Sequence, residues 1–452
     1  MAQAKQDMGS GSVKKLMLQL MIPAVVAQVV NLLYNIVDRI YIGHIEGIGA
    51  AALTGVGLFT PILMLLNAFA MLVGAGGAPR TAIALGQGDR QQAEKIISNS
   101  FTVLMLFAVV LTIGFYAGAP ALLRLFGASD ATLPYALSYS RIYILGSVFV
   151  LLVLGMNPFI TTQGFAKTSM LTTVIGAVIN IILDPILIFG LFGLPRMEVA
   201  GAAVATVLGQ IVAFILAMIL NHRKNPDVRL HLRGFRPDWK LIGRILAIGV
   251  PSMIMVAIGS VMYYGMNLVL MRFEHVRVGL GEVGTAVFGA YYKLQSFIFM
   301  PVFGINNAAL AIAAYNYGAR KPKRILGVLK CGILGATALM VIGVAAFQLI
   351  PQVLLGLFNA NADMLAVGDP ALRTMSLAFV FAGACIIVGG VFQALGNSVY
   401  SMIVSIARQL VVLLPVAYLL SLSGNIDAVW FAFPIAEVAS LAMTVILFLR
   451  LY

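Results

Sequence analysis

The chain is dominated by long uninterrupted apolar segments, each of about the length that crosses a lipid bilayer. Only 10% of its 452 residues are charged and 61% are apolar, which leaves too little charge to cover a water-soluble protein of this length. In a bilayer every backbone polar group must be satisfied internally, so only helices or closed barrels can span it. The apolar runs are continuous rather than alternating, which predicts an all-α polytopic membrane protein. Twelve transmembrane helices are predicted near residues 16–42, 49–77, 96–117, 135–158, 168–193, 199–221, 241–271, 283–315, 324–348, 372–395, 398–422 and 427–450.

Basic residues are concentrated in loops that all fall on one side of the membrane in a twelve-span topology. Lys and Arg precede the first span, separate the second from the third, and fill the loops 222–240 and 320–324. Such loops face the cytoplasm, so we predict a bacterial inner (plasma) membrane protein with both termini cytoplasmic. The net charge of +13 is thereby explained without a nucleic-acid partner. Residues 1–15 form a cytoplasmic tail that lacks the apolar core and cleavage site of a signal peptide.

The sequence also repeats itself at an offset of 232 residues. Residues 122–126, Leu-Leu-Arg-Leu-Phe, match residues 354–358, Leu-Leu-Gly-Leu-Phe. The same offset relates Gly86 to Gly318, Arg141 to Arg373, Gly164 to Gly396, Ser169 to Ser401 and Met170 to Met402. Pro23 and Pro251 are 228 residues apart, which predicts a short insertion around 273–284.

An even number of spans per repeat inserts both halves with the same orientation. We therefore predict two pseudo-symmetric six-helix lobes, an N-lobe at 16–221 and a C-lobe at 241–452, joined by a cytoplasmic linker at 222–240. Two similar bundles that rock against each other give alternating access, which indicates a transporter.

Three acidic residues, Asp38, Asp184 and Glu437, fall inside predicted spans. A charge at the centre of a bilayer costs about 2.5–3.5 kcal/mol, so such residues are expected to face a polar cavity or to be functional. Asn31, Tyr34 and Asp38 are spaced i, i+3 and i+7 and share one face of the first helix. This polar stripe is expected to face the interior of the bundle.

The fifth span contains Asn180 and Asp184 one turn apart, followed by Pro185. The proline lacks an N–H and leaves a carbonyl oxygen available as a ligand. Carboxylate, amide and carbonyl oxygens suit Na⁺, with Asp38, Asn180 and Asp184 as the candidate ligands, and the carboxylates could equally carry protons. The sequence does not choose between the two ions. The alternative is that Asp38 and Asp184 only form hydrogen bonds between helices.

The charges of the second half allow two interpretations. Glu437 either lines a cavity or pairs with a polar neighbour, and Lys293 either contributes a countercharge to a substrate cavity or extends toward the interface. Arg408 is expected to hold the bundle together. Sequence motifs of nucleotide hydrolysis and dinucleotide binding are absent, so we expect no enzyme and no cofactor, with transport driven by an ion gradient.

At several short motifs the chain resembles the multidrug and toxic compound extrusion family. The motifs are Val37-Asp38, Leu85-Gly-Gln-Gly-Asp89, Asn180-Ile-Ile-Leu-Asp-Pro185, Gly201-Ala-Ala-Val-Ala-Thr206, Asn316-Tyr-Gly-Ala319, Phe392-Gln-Ala-Leu-Gly396 and Arg408-Gln409. The resemblance covers essentially the whole chain. It implies twelve helices in two lobes, cation-coupled drug efflux, and an ion-responsive site at Asp38, Asn180 and Asp184 with Thr206 as a further ligand. It also implies that Tyr34, Tyr139 and Asn157 line the same cavity.

The chain departs from one branch of that family, the NorM-like branch, which has a second cation site in the C-lobe. Neither 251–271 nor 375–395 contains an acidic residue, so the chain resembles the DinF- and MepA-like branch. We therefore expect a monomeric exporter that exchanges cationic or amphipathic organic molecules for H⁺ or Na⁺. The alternatives are a flippase of lipid-linked precursors or polysaccharides with the same fold, and a membrane-embedded enzyme.

Overall fold

The computed structural model describes residues 7–224, 230 and 236–451. This part of the chain is helical and contains no β-strand. Most of the predicted linker, 222–240, lies outside the described residues. The flanking helices end at Lys224 and begin again at Trp239.

The chain divides into two compact units. The first unit comprises Met1–Gly11, Ile22–Val250 and Ala314–Arg320, and the second comprises Ser12–Met21, Pro251–Ala313 and Lys321–Tyr452. In chain order, the first seven helices are α1 (Val13–Gly43), α2 (Gly49–Leu58), α3 (Thr60–Gly86), α4 (Arg90–Leu125), α5 (Leu133–Thr162), α6 (Ala166–Phe189) and α7 (Val199–Lys224). The remaining helices are α8 (Trp239–Met271), α9 (Leu280–Gly318), α10 (Pro322–Leu349), α11 (Pro351–Gly356), α12 (Ala362–Ser376), α13 (Phe379–Ala394), α14 (Ser398–Ile406), α15 (Leu414–Ser421), α16 (Ile426–Val429) and α17 (Ala432–Leu451).

The boundaries of these units differ from those of the predicted lobes. Helices α1, α8 and α9 are each divided between the two units, whereas the predicted lobes assign every helix to one lobe. Within the first unit, α3 packs closely against the N-terminal part of α8 and the last turn of α9. A Cβ added at Gly76 would contact the Ile245 carbonyl, and one added at Gly249 would contact the Leu72 carbonyl. Because these backbones touch, segments of α3, α8 and α9 belong to the same unit although they are far apart in the chain.

Eleven spans of the described chain are long and apolar enough to cross a membrane, and one bent helix pair brings the number to twelve. The bent pair is α12 and α13, which meet at 46° where a single span, 372–395, was predicted. The bend has a local cause, because the Arg373 carbonyl accepts hydrogen bonds from Gln348 Nε2 at 2.7 Å and Ser376 Oγ at 2.9 Å. The Leu377 N–H turns instead to Thr374, at 3.3 Å. Side chains that insert into the backbone ladder in this way kink a helix.

The sequence repeat is also present in the backbone. Five pairs of positive-φ residues are separated by 232 positions: Gly47 and Gly279, Gly88 and Arg320, Gly127 and Asn359, Gly164 and Gly396, and Phe192 and Gly424. Since Gly47 and Gly279 are already in register, the insertion lies before Gly279. It corresponds to the four-residue 3₁₀ helix Arg272–His275, which follows α8 and has no counterpart after α1.

The positive φ at Gly88 leads to a stability prediction. Replacing Gly88 with Ala should lower the free energy of unfolding by about 1–2 kcal/mol, because φ is +81° and L-residues pay roughly that cost in the left-handed region. Gly114 is the matched control, since it lies within helix α4 with open space around its Cα. Gly114→Ala should be neutral or stabilising by up to about 1 kcal/mol. Thermal unfolding of the detergent-solubilised protein measures both, and equal shifts would contradict the repeat-turn interpretation.

Candidate functional site

The candidate site lies in the first unit, where α6 and α7 approach each other unusually closely. A Cβ added at Gly209 would lie 2.6 Å from the Gly176 carbonyl, and one added at Gly176 would lie 3.1 Å from the Gly209 carbonyl. Glycines on both helices therefore permit backbone contact at this level. One turn beyond Gly176, this contact brings Asn180 of α6 beside Thr206 of α7.

Asn180, Thr206 and Asp184 form a buried hydrogen-bonded network. The hydrogen-bond partners of Asn180 determine which way its side-chain amide points. In that orientation the amide oxygen accepts from the Thr206 N–H at 3.1 Å, and the amide nitrogen donates to Asp184 Oδ2 at 3.2 Å. The Thr206 hydroxyl lies 3.0 Å from the Asn180 amide and 3.0 Å from the Ala202 carbonyl, and donates to one of them at a time. Asp184 is 0% exposed. The network therefore holds a carboxylate away from water.

Asp38 of α1 interacts electrostatically with Asp184 and is only 7% exposed. The Asp38 Oδ1 atom is buried, and no described residue forms a hydrogen bond with it. Tyr34, one turn earlier on α1, lies within electrostatic range of both carboxylates. The structure thus brings two carboxylates, an amide and a hydroxyl from α1, α6 and α7 into one site.

An aromatic wall borders the acidic site. Tyr139 of α5 interacts with the Thr206 side chain, and Tyr143 lies within electrostatic range of Asp38. Their rings stack with centroids 5.9 Å apart, and the Phe59 ring lies edge-on at 5.7 Å from Tyr139 and 5.3 Å from Tyr143. Sequence reasoning named Tyr139 but missed Tyr143 and Phe59. The i+4 spacing of the two tyrosines was a usable signal for Tyr143, whereas Phe59, at the break between α2 and α3, gave none.

Two of the predicted cavity residues, Asn157 and Asn31, form hydrogen bonds with residues outside the acidic site. Asn157 of α5 donates to Thr173 at 3.3 Å and accepts from Thr172 at 3.2 Å. Thr172 precedes Asn180 by eight residues, about 12 Å along the axis of α6. Asn31 is half-buried, and its carbonyl accepts a hydrogen bond from the Asn35 side chain at 2.6 Å. The shared face predicted for Asn31, Tyr34 and Asp38 is nevertheless less exposed than its flanks, since Leu33, Asn35 and Arg39 are exposed.

Lys293 and Glu437 belong to the second unit. The Lys293 side chain is exposed, and its Nζ lies 5.8 Å from the centroid of the Phe358 ring, a cation–π contact. Glu437 forms an ion pair with Arg408, with Oε1 and Nη1 3.2 Å apart. Glu437 therefore has the polar partner that one of its two sequence interpretations predicted.

The chemistry available to the acidic site is that of a small positive ion. Two carboxylates held together away from water repel each other, so a proton on one of them or a cation between them stabilises the arrangement. The oxygen donors of Asp38, Asp184, Asn180 and Thr206 are hard ligands of the kind that Na⁺ accepts. The described residues contain no group of three or more His, Cys, Asp and Glu side chains that could hold a metal ion.

Membrane-length helices that occur in two sequence repeats, with a buried acidic site in the first unit, are typical of polytopic membrane transporters. The MatE family model matches residues 23–186 and 251–419, one segment in each repeat. The chain therefore belongs to the multidrug and toxic compound extrusion family, whose members are transporters and not enzymes. The resemblance drawn from the motifs is confirmed.

Relatives match along nearly the full length of the chain. The probable multidrug resistance protein YoeA of Bacillus subtilis (strain 168) is 27% identical over 97% of this chain and 94% of its own length. The multidrug export protein MepA of Staphylococcus haemolyticus is also 27% identical, over 97% of this chain and 94% of its own length. A solved structure of a multidrug resistance transporter of the same family, in an outward-facing conformation, has a TM-score of 0.87 at 26% identity and covers 97% of this chain and 96% of its own.

Proposed function

We propose that the protein is a secondary active exporter that exchanges cationic or amphipathic organic molecules for H⁺ or Na⁺ by alternating access. The observation that carries the proposal is the buried Asp38 carboxylate, whose Oδ1 atom has no hydrogen-bond partner in the described residues and which interacts with Asp184. A carboxylate that only linked helices would have its oxygens paired. An unpaired buried acceptor beside a second carboxylate is suited to binding and releasing a positive ion.

Coupling requires that the ion and the organic molecule prefer different conformational states. Asp38 lies on α1 five residues before the helix ends at Gly43, and Pro23 lies inside the same helix. Ion binding at Asp38 therefore acts on a helix whose backbone ladder is already interrupted. In the proposed cycle, ion binding changes the bend of α1 and shifts the balance between the outward- and inward-open states.

The aromatic wall and the names of the relatives support an organic substrate. The stacked Tyr139 and Tyr143 rings, with the Phe59 ring edge-on to both, border the acidic site, and aromatic π-systems attract organic cations. Of the two relatives named above, one is a probable multidrug resistance protein and the other is a multidrug export protein. A flippase of anionic headgroups is disfavoured, because the site described here contains two acidic side chains and anionic groups would be repelled from it. We further propose that the protein is a monomer. We also propose that it lies in the bacterial plasma membrane with both termini in the cytoplasm, as the distribution of basic loops predicts.

The test is efflux of ethidium from vesicles reconstituted with the full-length protein. We expect transport when either a pH gradient or a sodium gradient is imposed, and the effective gradient identifies the coupling ion. Empty vesicles and vesicles with collapsed gradients are the controls. Transport that persists without any ion gradient would contradict the coupling, and absence of transport for a panel of organic cations would contradict the substrate class.

A further inference from the structure

The second unit contains a polar stripe that the proposed function does not use. Glu437, Ser440 and Thr444 are spaced i, i+3 and i+7 on α17 and so share one helical face. Ser440 is 1% exposed and Thr444 is 2% exposed. In the described part of the chain, Glu437 Oε2, Ser440 Oγ and Thr444 Oγ1 are all buried and have no hydrogen-bond partner of ordinary geometry. Three orphaned oxygens in a row are costly in an apolar environment unless the site is used.

Groups from three other elements face this stripe. Arg408 forms the ion pair with Glu437 Oε1 at 3.2 Å, Tyr291 of α9 interacts electrostatically with both partners, and the Cys385 thiol of α13 interacts with Ser440 and Thr444. The thiol is a weak hydrogen-bond partner and does not satisfy the hydroxyls. Arg408, Tyr291 and Cys385 are the titratable groups of the described residues that interact with Glu437. Within this described part of the chain, Arg408 is therefore the one strong partner of the Glu437 carboxylate.

The backbone at Arg408 is itself unusual. Residues Ala407–Leu413 form a π-helical segment between α14 and α15. Such widened turns are rare and occur frequently at functional sites. The only charged side chain of this segment is the one that meets Glu437.

In the second repeat, this cluster occupies positions that correspond to those beside the acidic site in the first repeat. Subtracting 232 from 408 and 437 gives 176 and 205, which are Gly176 of α6 and Ala205, the residue before Thr206 of α7. Both repeats therefore carry buried polar groups between their last two spans. The first repeat has Asp184, Asn180 and Thr206 there, with Asp38 approaching from α1, and the second has an ion pair with adjacent hydroxyls.

A proton fits this cluster better than a metal cation does. One oxygen of Glu437 is occupied by the guanidinium, which would also repel a metal cation placed beside it. Hard cations need about six oxygen ligands, whereas the stripe offers one free carboxylate oxygen and two hydroxyls. A proton needs only one acceptor.

We infer that Glu437 is a second proton-carrying carboxylate of the exchange cycle, which takes a proton on Oε2 when its pair with Arg408 opens. The inference rests on the proposed exchange function. The proton comes from water and returns to water, and no other bond forms or breaks. The Ser440 hydroxyl, one turn away on the same face, then accepts from the carboxylic acid, and the Thr444 hydroxyl continues the polar route along α17.

Proton uptake by the purified full-length protein tests this without any substrate. A pH indicator in weakly buffered detergent counts the protons taken up between about pH 8 and about pH 6, where ordinary exposed carboxyls with a pKa near 4 remain ionised. We expect the native protein to take up more protons over this range than the Glu437→Gln variant, by at most one per molecule. Asp363→Asn is the matched control, since Asp363 is an exposed carboxylate that pairs with Arg277 at 3.5 Å, and this variant should match the native protein. Equal uptake by the native protein and Glu437→Gln would overturn the inference and leave a purely structural ion pair.

Two further comparisons keep the result interpretable. If Glu437→Gln does not fold because Arg408 is left unpaired, the comparison is made between Arg408→Gln and the double variant Arg408→Gln/Glu437→Gln, which differ only at Glu437. In vesicles, Glu437→Gln should flatten the dependence of ethidium transport on pH while transport continues. An unchanged pH profile would overturn the inference. Absence of transport by the native protein would contradict the proposed function, and the proton count would still decide the role of Glu437.

Discussion

Replacing Asp38 with Asn is expected to reduce ion-coupled export to the level of empty vesicles while leaving the protein folded. Asn has the shape of Asp but carries no charge, so it can neither take up a proton nor balance a cation. Because Asp38 Oδ1 accepts no hydrogen bond in the described residues, the substitution removes no bond at that atom. It also removes the repulsion from Asp184, so the free energy of unfolding should stay the same or rise.

The measurement pairs the vesicle assay with thermal unfolding. Glu46→Gln is the matched control, because the Glu46 side chain is 92% exposed and forms a long ion pair with Arg196, at 4.0 Å. The control should export at the native rate, as an exposed ion pair contributes little. Full export by Asp38→Asn would remove Asp38 from the coupling mechanism. Loss of export together with loss of folding would instead assign Asp38 a structural role.

Substitutions at Gly86 and Gly318 are expected to have the second-largest effect, a loss of about 1–3 kcal/mol in the free energy of unfolding for each change to Ala. The two glycines are related by the 232-residue repeat and cross each other within the first unit. A Cβ at Gly86 would contact the Tyr315 carbonyl, and a Cβ at Gly318 would contact the Ile83 carbonyl. Ile83 and Tyr315 are related by the same offset, so the contact is reciprocal. A backbone carbonyl cannot move aside as a flexible side chain can, and the helices must separate.

The reciprocal geometry makes the double variant informative. Once α3 and α9 separate to accommodate one Cβ, part of the space for the other is already present, so the double variant should cost less than the sum of the single variants. Gly57→Ala is the control, because nothing lies within 4 Å of a Cβ added there. Thermal unfolding of the native protein, the two single variants and the double variant measures the coupling between the two sites. Strictly additive losses would contradict a shared crossing, and losses equal to that of the control would contradict the close contact.

Most of the architecture follows from the sequence. Long apolar runs fixed the number of spans, because the cost of burying backbone and charge in lipid is set locally along the chain. The motifs indicated the family, and the family model confirmed it. The repeat was also readable, since identical turns require glycine or another residue that tolerates positive φ at the same offset. Asp38, Asn180, Asp184 and Thr206 could be named in advance because acids and amides in apolar helices are conspicuous.

The tertiary structure decided which of these residues meet. The bend between α12 and α13 depends on Gln348, which reaches the Arg373 carbonyl from another helix and could not be anticipated from the segment that bends. The ion pair between Glu437 and Arg408 joins residues 29 positions apart on different helices, and the sequence had left the partner of Glu437 open. Phe59 joins the tyrosines beside Asp38 only because α2 and α3 break at that point. The length of an apolar segment determines whether it forms a membrane-spanning helix. The neighbours of its polar groups depend on packing between helices that are distant in sequence, and no local sequence pattern encodes that packing.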